Sequence, residues 1–163
     1  MVISISSLTA VSYADCWKKT DSGYVYEYSD GTTAEKGWLT VDGNKYYIRA
    51  DGTRKTGWGT TSNGTKYYFC KDGTAACSKQ LKFSDGSRYY FDEEGKMAVD
   101  HCLKKGKKHY YYGSDGKLCH TVDGNGNYAA YSETCHNEED VSCADKSSKK
   151  HRYDGHHYET DHK

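Results

Sequence analysis

The side chains best suited to chemistry in this sequence are aromatic and basic. Trp17, Trp38 and Trp58 each stand at the head of a short run that closes on tyrosines. A flat indole at the edge of a hairpin can stack on the apolar face of a sugar ring, and a tyrosine can add a second face while its hydroxyl stays wet. The tyrosines come in adjacent pairs, Tyr46-Tyr47, Tyr67-Tyr68 and Tyr89-Tyr90, preceded by Lys45, Lys66 and Arg88. In a strand adjacent residues point to opposite faces, so one tyrosine of each pair packs inward and the other faces a ligand. The candidate ligand-binding set is therefore Trp17, Trp38, Tyr46, Trp58, Tyr67 and Tyr89, with Lys45 and Lys66 placed to contact hydroxyls or anionic groups. Trp38 is expected to work with Tyr46, and Trp58 with Tyr67. Most of the other tyrosines are needed to hold the structure together.

Other chemistry finds less support. An enzyme needs a nucleophile with its base, or paired carboxylates in a pocket. Here the carboxylates recur once per Asp-Gly turn, which is turn chemistry, and neither a Gly-x-Ser-x-Gly nor a phosphate loop occurs. The sequence reads as non-catalytic and calls for no cofactor. The segment 123–127, DGNGN, has the first half of a calcium loop, but Tyr128 stands where the loop needs Gly and Thr134 where it needs Glu. Asn63-Gly64-Thr65 is formally a glycosylation acceptor, although an Asn-Gly turn accounts for it. Seven cysteines, an odd number, cannot all pair within one chain. Cys70, Cys77, Cys102 and Cys119 hold no common repeat position, and Cys70 and Cys77 are read either as a bridge across adjacent turns or as free thiols.

Two series of turns position these residues. The first places glycines at Gly23, Gly43, Gly64, Gly86, Gly106 and Gly124, and the second at Gly31, Gly52, Gly73, Gly95 and Gly116. Successive glycines of the second series lie 21, 21, 22 and 21 residues apart, and a fixed period near 20 marks a repeat architecture. Between the turns sit aromatic, β-favouring runs of strand length, such as Lys66-Tyr67-Tyr68-Phe69. The unit is strand, turn, strand, turn. One hairpin is too small to be stable alone, but stacked hairpins bury a continuous aromatic spine. The fold class expected is all-β, a solenoid of stacked β-hairpins with about five repeats of roughly 21 residues. The fourth unit carries Gln80 where the second and third carry Trp, and the fifth also lacks Trp.

Composition agrees with a thin structure. Apolar residues make up 35% of the 163, against a usual ~45–50%, and Tyr and Gly number 17 each. The 23 basic and 23 acidic residues cancel, which removes the electrostatic footprint of a nucleic-acid binder. No apolar run is long enough to span a membrane. Residues 1–14 read as the end of a secretion signal, closing on small residues, or as a first strand. Residues 15–128 form the repeat domain. Residues 129–163 read as a charged, His-rich tail that cannot bury enough surface to fold alone. Its Cys135, His136, Cys143, His151, His156, His157 and His162 suit a transition metal in type, but their spacing matches no structural zinc site.

The Gly-Trp, Tyr-Tyr and Asp-Gly pattern resembles the choline-binding and glucan-binding repeats that attach surface proteins of Gram-positive bacteria and their phages to the cell wall. The resemblance spans about 16–128 and is sharpest over 37–100. It implies binding of a bacterial cell-wall or surface glycan, of glucan or teichoic acid type, by a secreted or cell-surface protein. In choline binders of this family the residue before the tyrosine pair is an aromatic that completes a cage. Here those positions hold Lys45, Lys66, Arg88 and His109, which remove one ring face and add charge, and choline is drawn by ring faces. The sequence is thus more similar to the glucan-binding and clostridial-toxin branches. The alternatives are a structural or adhesive spacer whose aromatics are only spine, or teichoic acid binding through choline.

Overall fold

Twelve β-strands and no helix make up the described residues, 14–131, of the computed structural model. Strands β1 (Cys16–Thr20) and β2 (Gly23–Glu27), β3 (Gly37–Val41) and β4 (Asn44–Ile48), β5 (Gly57–Thr60) and β6 (Lys66–Phe69), and β7 (Lys79–Lys82) and β8 (Arg88–Phe91) form four separate two-stranded hairpins. Strands β9 (His101–Lys105), β10 (Lys108–Tyr112), β11 (Leu118–Val122) and β12 (Tyr128–Ala130) form one four-stranded sheet in the order β12-β11-β10-β9. This is the all-β hairpin repeat that the turn spacing requires. The readings of residues 1–13, as signal or strand, and of 132–163 with their candidate metal ligands fall outside the described residues, while Ala129 and Ala130, read as the start of the tail, lie in β12.

Turn chemistry explains the hairpins. Asp42 and Gly43 both have positive φ, 49° and 75°, which is the two-residue turn whose twist matches that of the flanking strands. The second series works differently. In each of those turns except the fourth, an aspartate accepts a hydrogen bond from the amide two residues on, as Asp51 does from Thr53 and Asp72 from Thr74, at 2.9 Å each. The Thr53 and Thr74 hydroxyls donate to the same carboxylates. Those hydroxyl bonds, and then the amide bonds, hold the Asp51 and Asp72 carboxyls below the usual carboxylate range. In the fourth turn Asp92 does this work, accepting from the amides of Glu94 and Lys96.

After each such turn the chain touches its own hairpin at a single bridge: Glu27 with Thr33, Ile48 with Arg54, Phe69 with Ala75, and Phe91 with Met97. In the last repeat the equivalent contact, Tyr112 with Leu118, opens a full strand, β11, with a bulge at Tyr111/Tyr112. The segment 122–128 is the turn and flanks of a complete β11–β12 pair.

The described chain divides into two units, 14–59 with 68–75, and 60–67 with 76–131. In the first, Ile48 is fully buried and packs with Tyr26 and Ala34, flanked by Trp17, Tyr28, Leu39 and Val41. In the second, Phe91, Tyr112, Leu118 and Thr121 are buried. One backbone bond recurs inside both units. The residue two places after the turn glycine donates to a hairpin carbonyl about one and a half repeats earlier. Arg54 N–H thus bonds Tyr24 O at 2.8 Å and Ala75 N–H bonds Lys45 O at 2.7 Å in the first unit, and Met97 N–H bonds Lys66 O at 2.8 Å in the second. Each repeat thereby satisfies a backbone carbonyl of the one before it.

Candidate functional site

The aromatic side chains gather around each tryptophan in turn. Trp17, on β1, faces Tyr26 across the hairpin, with ring centroids 5.1 Å apart in an edge-on arrangement. Tyr46 closes on it at 4.8 Å, and the Arg54 guanidinium carbon lies 5.3 Å from its ring. Trp17 is surrounded by its own chain.

Trp38 and Trp58 differ. Trp38 stands opposite Tyr47 in the β3–β4 ladder, 5.6 Å from it edge-on, and 5.7 Å from Phe69 of the following hairpin. It nevertheless keeps 47% of its surface exposed, and Trp58 keeps 38%. Trp58 meets Tyr68 edge-on at 5.3 Å. Both indoles are thus held by a tyrosine edge-on while part of each stays in water, and a partly exposed indole can stack on a sugar.

The tyrosine partner of Trp38 is therefore Tyr47, where the sequence pointed to Tyr46. The ladder decides this: Tyr46 pairs with Leu39 and so turns to the opposite face of the hairpin. There it is buried, and burial pushes its phenol pKa up. Among the other candidates, Tyr67 and Tyr89 are half-buried, and Tyr89 packs edge-on against Phe83 at 5.3 Å. Lys45 is half-buried on β4, while Lys66 is exposed on β6.

Lys66 reaches a second feature, inside the second unit. A groove of about 570 Å³ is lined by Asn63, Gly64, Thr65, Lys66, Tyr90, Asp92, Lys96, Met97, Ala98, Val99, His101 and Ser114. Its walls carry one aromatic ring, two amines, a carboxylate, an imidazole and hydroxyls. The Lys105 ammonium lies 5.3 Å from the Tyr90 ring. Sequence reasoning missed Tyr47, Tyr68, Tyr90, Asp92, His101 and Arg54. Ladder register was the signal for the first two, and nothing in the linear pattern marks the rest.

The missing tryptophan of the fourth unit has a structural explanation. Gln80 stands opposite Tyr90 and donates its amide N–H to the Tyr112 hydroxyl at 2.7 Å. Tyr112 is wholly buried. Burial pushes its pKa up to about 12, against the opposing effect of the Gln80 bond.

The cysteines and the turn at 123–127 can also be placed. Cys16, Cys70 and Cys77 are thiols, whereas Cys102 and Cys119 are disulfide-bonded. Asp123 spends its carboxylate on its own turn, accepting from the amides of Asn125 and Asn127 and from the Asn127 side chain. Among the described residues no three His, Cys, Asp or Glu side chains gather closely enough to hold a metal ion. No described helix is long and apolar enough to cross a membrane.

The profile of the cell wall binding repeat family matches residues 36–53, 56–75 and 80–97. Over these three stretches the chain is similar to that family. The three matches fall on the hairpins that hold Trp38, Trp58 and Gln80. Solved structures agree with this chain in fold. Choline binding protein F from Streptococcus pneumoniae is 27% identical over 71% of this chain and 40% of its own, with a TM-score of 0.58. CbpJ from the same organism is 25% identical over 71% and 41%, also at 0.58. Truncated alternansucrase from Leuconostoc mesenteroides is 26% identical over 64% of this chain and 10% of its own, at 0.56. The matched region thus spans at most 41% of these proteins. No curated protein sequence matches.

Proposed function

We propose that this chain is a non-catalytic binding module for a bacterial cell-wall or cell-surface carbohydrate polymer, acting from outside the cell through Trp38 and Trp58. The observation that carries the reading is the exposure of these two indoles, 47% and 38%, at the same position of successive matched repeats. Large aromatic surface left in water is costly unless a ligand covers it. Two weak equivalent sites on one chain suit a polymer, because linkage raises avidity well beyond either site alone. The polar groove around Tyr90, Asp92, Lys96 and His101 adds hydroxyl-binding groups of both charge signs. Similarity to a choline binding protein and to an alternansucrase supports a wall or glucan ligand.

The test is retention on purified cell walls and on insoluble glucan. A Trp38→Ala, Trp58→Ala variant, checked for an unchanged far-ultraviolet spectrum, is expected to lose about tenfold or more of the retention. Equal retention by the variant and the native chain would show that the indoles are spine only, as a spacer requires.

A further inference from the structure

The position two residues after the turn glycine is filled by Thr33, Arg54, Ala75, Met97 and Leu118 in successive repeats. Only one of these side chains is charged, and its placement is unusual. The Arg54 guanidinium carbon lies 4.0 Å from the Tyr24 ring centroid and 5.3 Å from that of Trp17. Its Nε is buried and has no hydrogen-bond partner, and the Asp72 carboxylate is close enough to feel its charge. The stem is fixed from below, since a Cβ built on Gly73 would fall 2.6 Å from Arg54 Cδ. Gly73 has a φ of +81° as well, so the position refuses a side chain on both counts. In the second unit Met97 lies over Gly116 in the same way, with an uncharged side chain.

We infer that Arg54 is a specificity-determining residue: its guanidinium is a resident cation on the Tyr24 and Trp17 rings, closing that aromatic site to cationic ligands such as quaternary ammonium groups. A ring face attracts one cation at close range, and a tethered guanidinium competes at a high effective concentration against any free one. Like charge then repels a second cation. Removing the guanidinium while keeping a stem of similar length takes the resident cation off both rings, and methionine, the residue the fourth repeat uses, is the substitution to make.

Choline chloride alone is the probe, so the result stands apart from whether the chain retains a glycan. The readout is the Trp17 indole N–H resonance in the full chain. Arg54→Met is expected to respond to choline with an apparent affinity about tenfold or more above that of the native chain. Arg54→Lys, which keeps the charge, is expected to stay closed. A native chain whose Trp17 responds as readily as that of Arg54→Met overturns the inference, and so does a folded Arg54→Met that does not respond. The native chain supplies a second measurement that needs no variant. The Arg54 δ-protons are expected to be shifted upfield by the ring currents of Tyr24 and Trp17, and random-coil values there overturn the inference even if every variant unfolds.

Discussion

Two places in the molecule fill the same three slots with different chemistry. In the first unit Trp38 stands opposite Tyr47 and reaches Phe69 of the next hairpin. In the second unit Gln80 stands opposite Tyr90 and reaches Tyr112 of the next hairpin. The first trio packs ring against ring, with Tyr47 and Phe69 6.3 Å apart. The second keeps a ring pair, Tyr90 and Tyr112 at 6.2 Å, but trades the indole for an amide. The reason is the hydroxyl. Phe69 asks nothing of its neighbours beyond contact, whereas a buried phenol stranded without a partner costs about 1–3 kcal/mol. Gln80 supplies that partner. The loss of a tryptophan in the fourth repeat is thus one half of a paired change, and the other half is the tyrosine at 112. The pair also differs in exposure: the indole trio leaves a ring partly in water, and the amide trio turns inward onto a buried hydroxyl.

The comparison breaks most visibly at Tyr112. Tyr112→Ala removes a wholly buried ring and is expected to cost about 3–5 kcal/mol in urea unfolding. A cost near that of a surface substitution would mean that the second trio holds nothing together. Gln80→Leu tests the hydrogen bond itself. It is expected to cost about 1–3 kcal/mol, and most of that cost should disappear in a Tyr112→Phe background, where no hydroxyl is left to satisfy. Equal costs in the two backgrounds would separate Gln80 from Tyr112.

A smaller effect sharpens the contrast by pH. Tyr112 titrates at about 12 in the fold and near 10 when unfolded. The protonated phenol is the form that suits its buried position, so this contribution to stability is full below about pH 10 and is lost as pH rises from there toward 12. Thermal melts between pH 9 and 12 are expected to fall less steeply for Tyr112→Phe than for the native chain. Parallel curves would assign the alkaline loss to other tyrosines.

The repeat fold was legible because turns and strands are local. Gly31, Gly52, Gly73, Gly95 and Gly116 mark the period, and runs such as Arg88-Tyr89-Tyr90-Phe91 declare themselves as strands by residue type. Which tyrosine of a pair faces which way was not legible. That phase depends on register across the hairpin, and a shift of one residue exchanges the faces. Tyr46 in the core and Tyr47 beside Trp38 are the result. The contacts that join one repeat to the next lay further out of reach. Nothing near Gln80 announces Tyr112, and nothing near Arg54 announces Tyr24. The sheet at the end of the second unit was only half foreseen, because 122–128 repeats the turn motif of an earlier hairpin while β11 extends what had been a single bridge in every repeat before it.

The backbone bonds from Arg54 to Tyr24, Ala75 to Lys45 and Met97 to Lys66 have a mechanical meaning. Each fastens a later turn onto an earlier hairpin, so the three hairpins that hold Tyr24, Lys45 and Lys66 are drawn out only once such a stitch shears. Every stitch that parts frees a repeat of about 21 residues, or about 70 Å of extended chain at ~3.4 Å per residue. The repeats can therefore pay out length in small increments under load, lengthening by one hairpin while the next still grips.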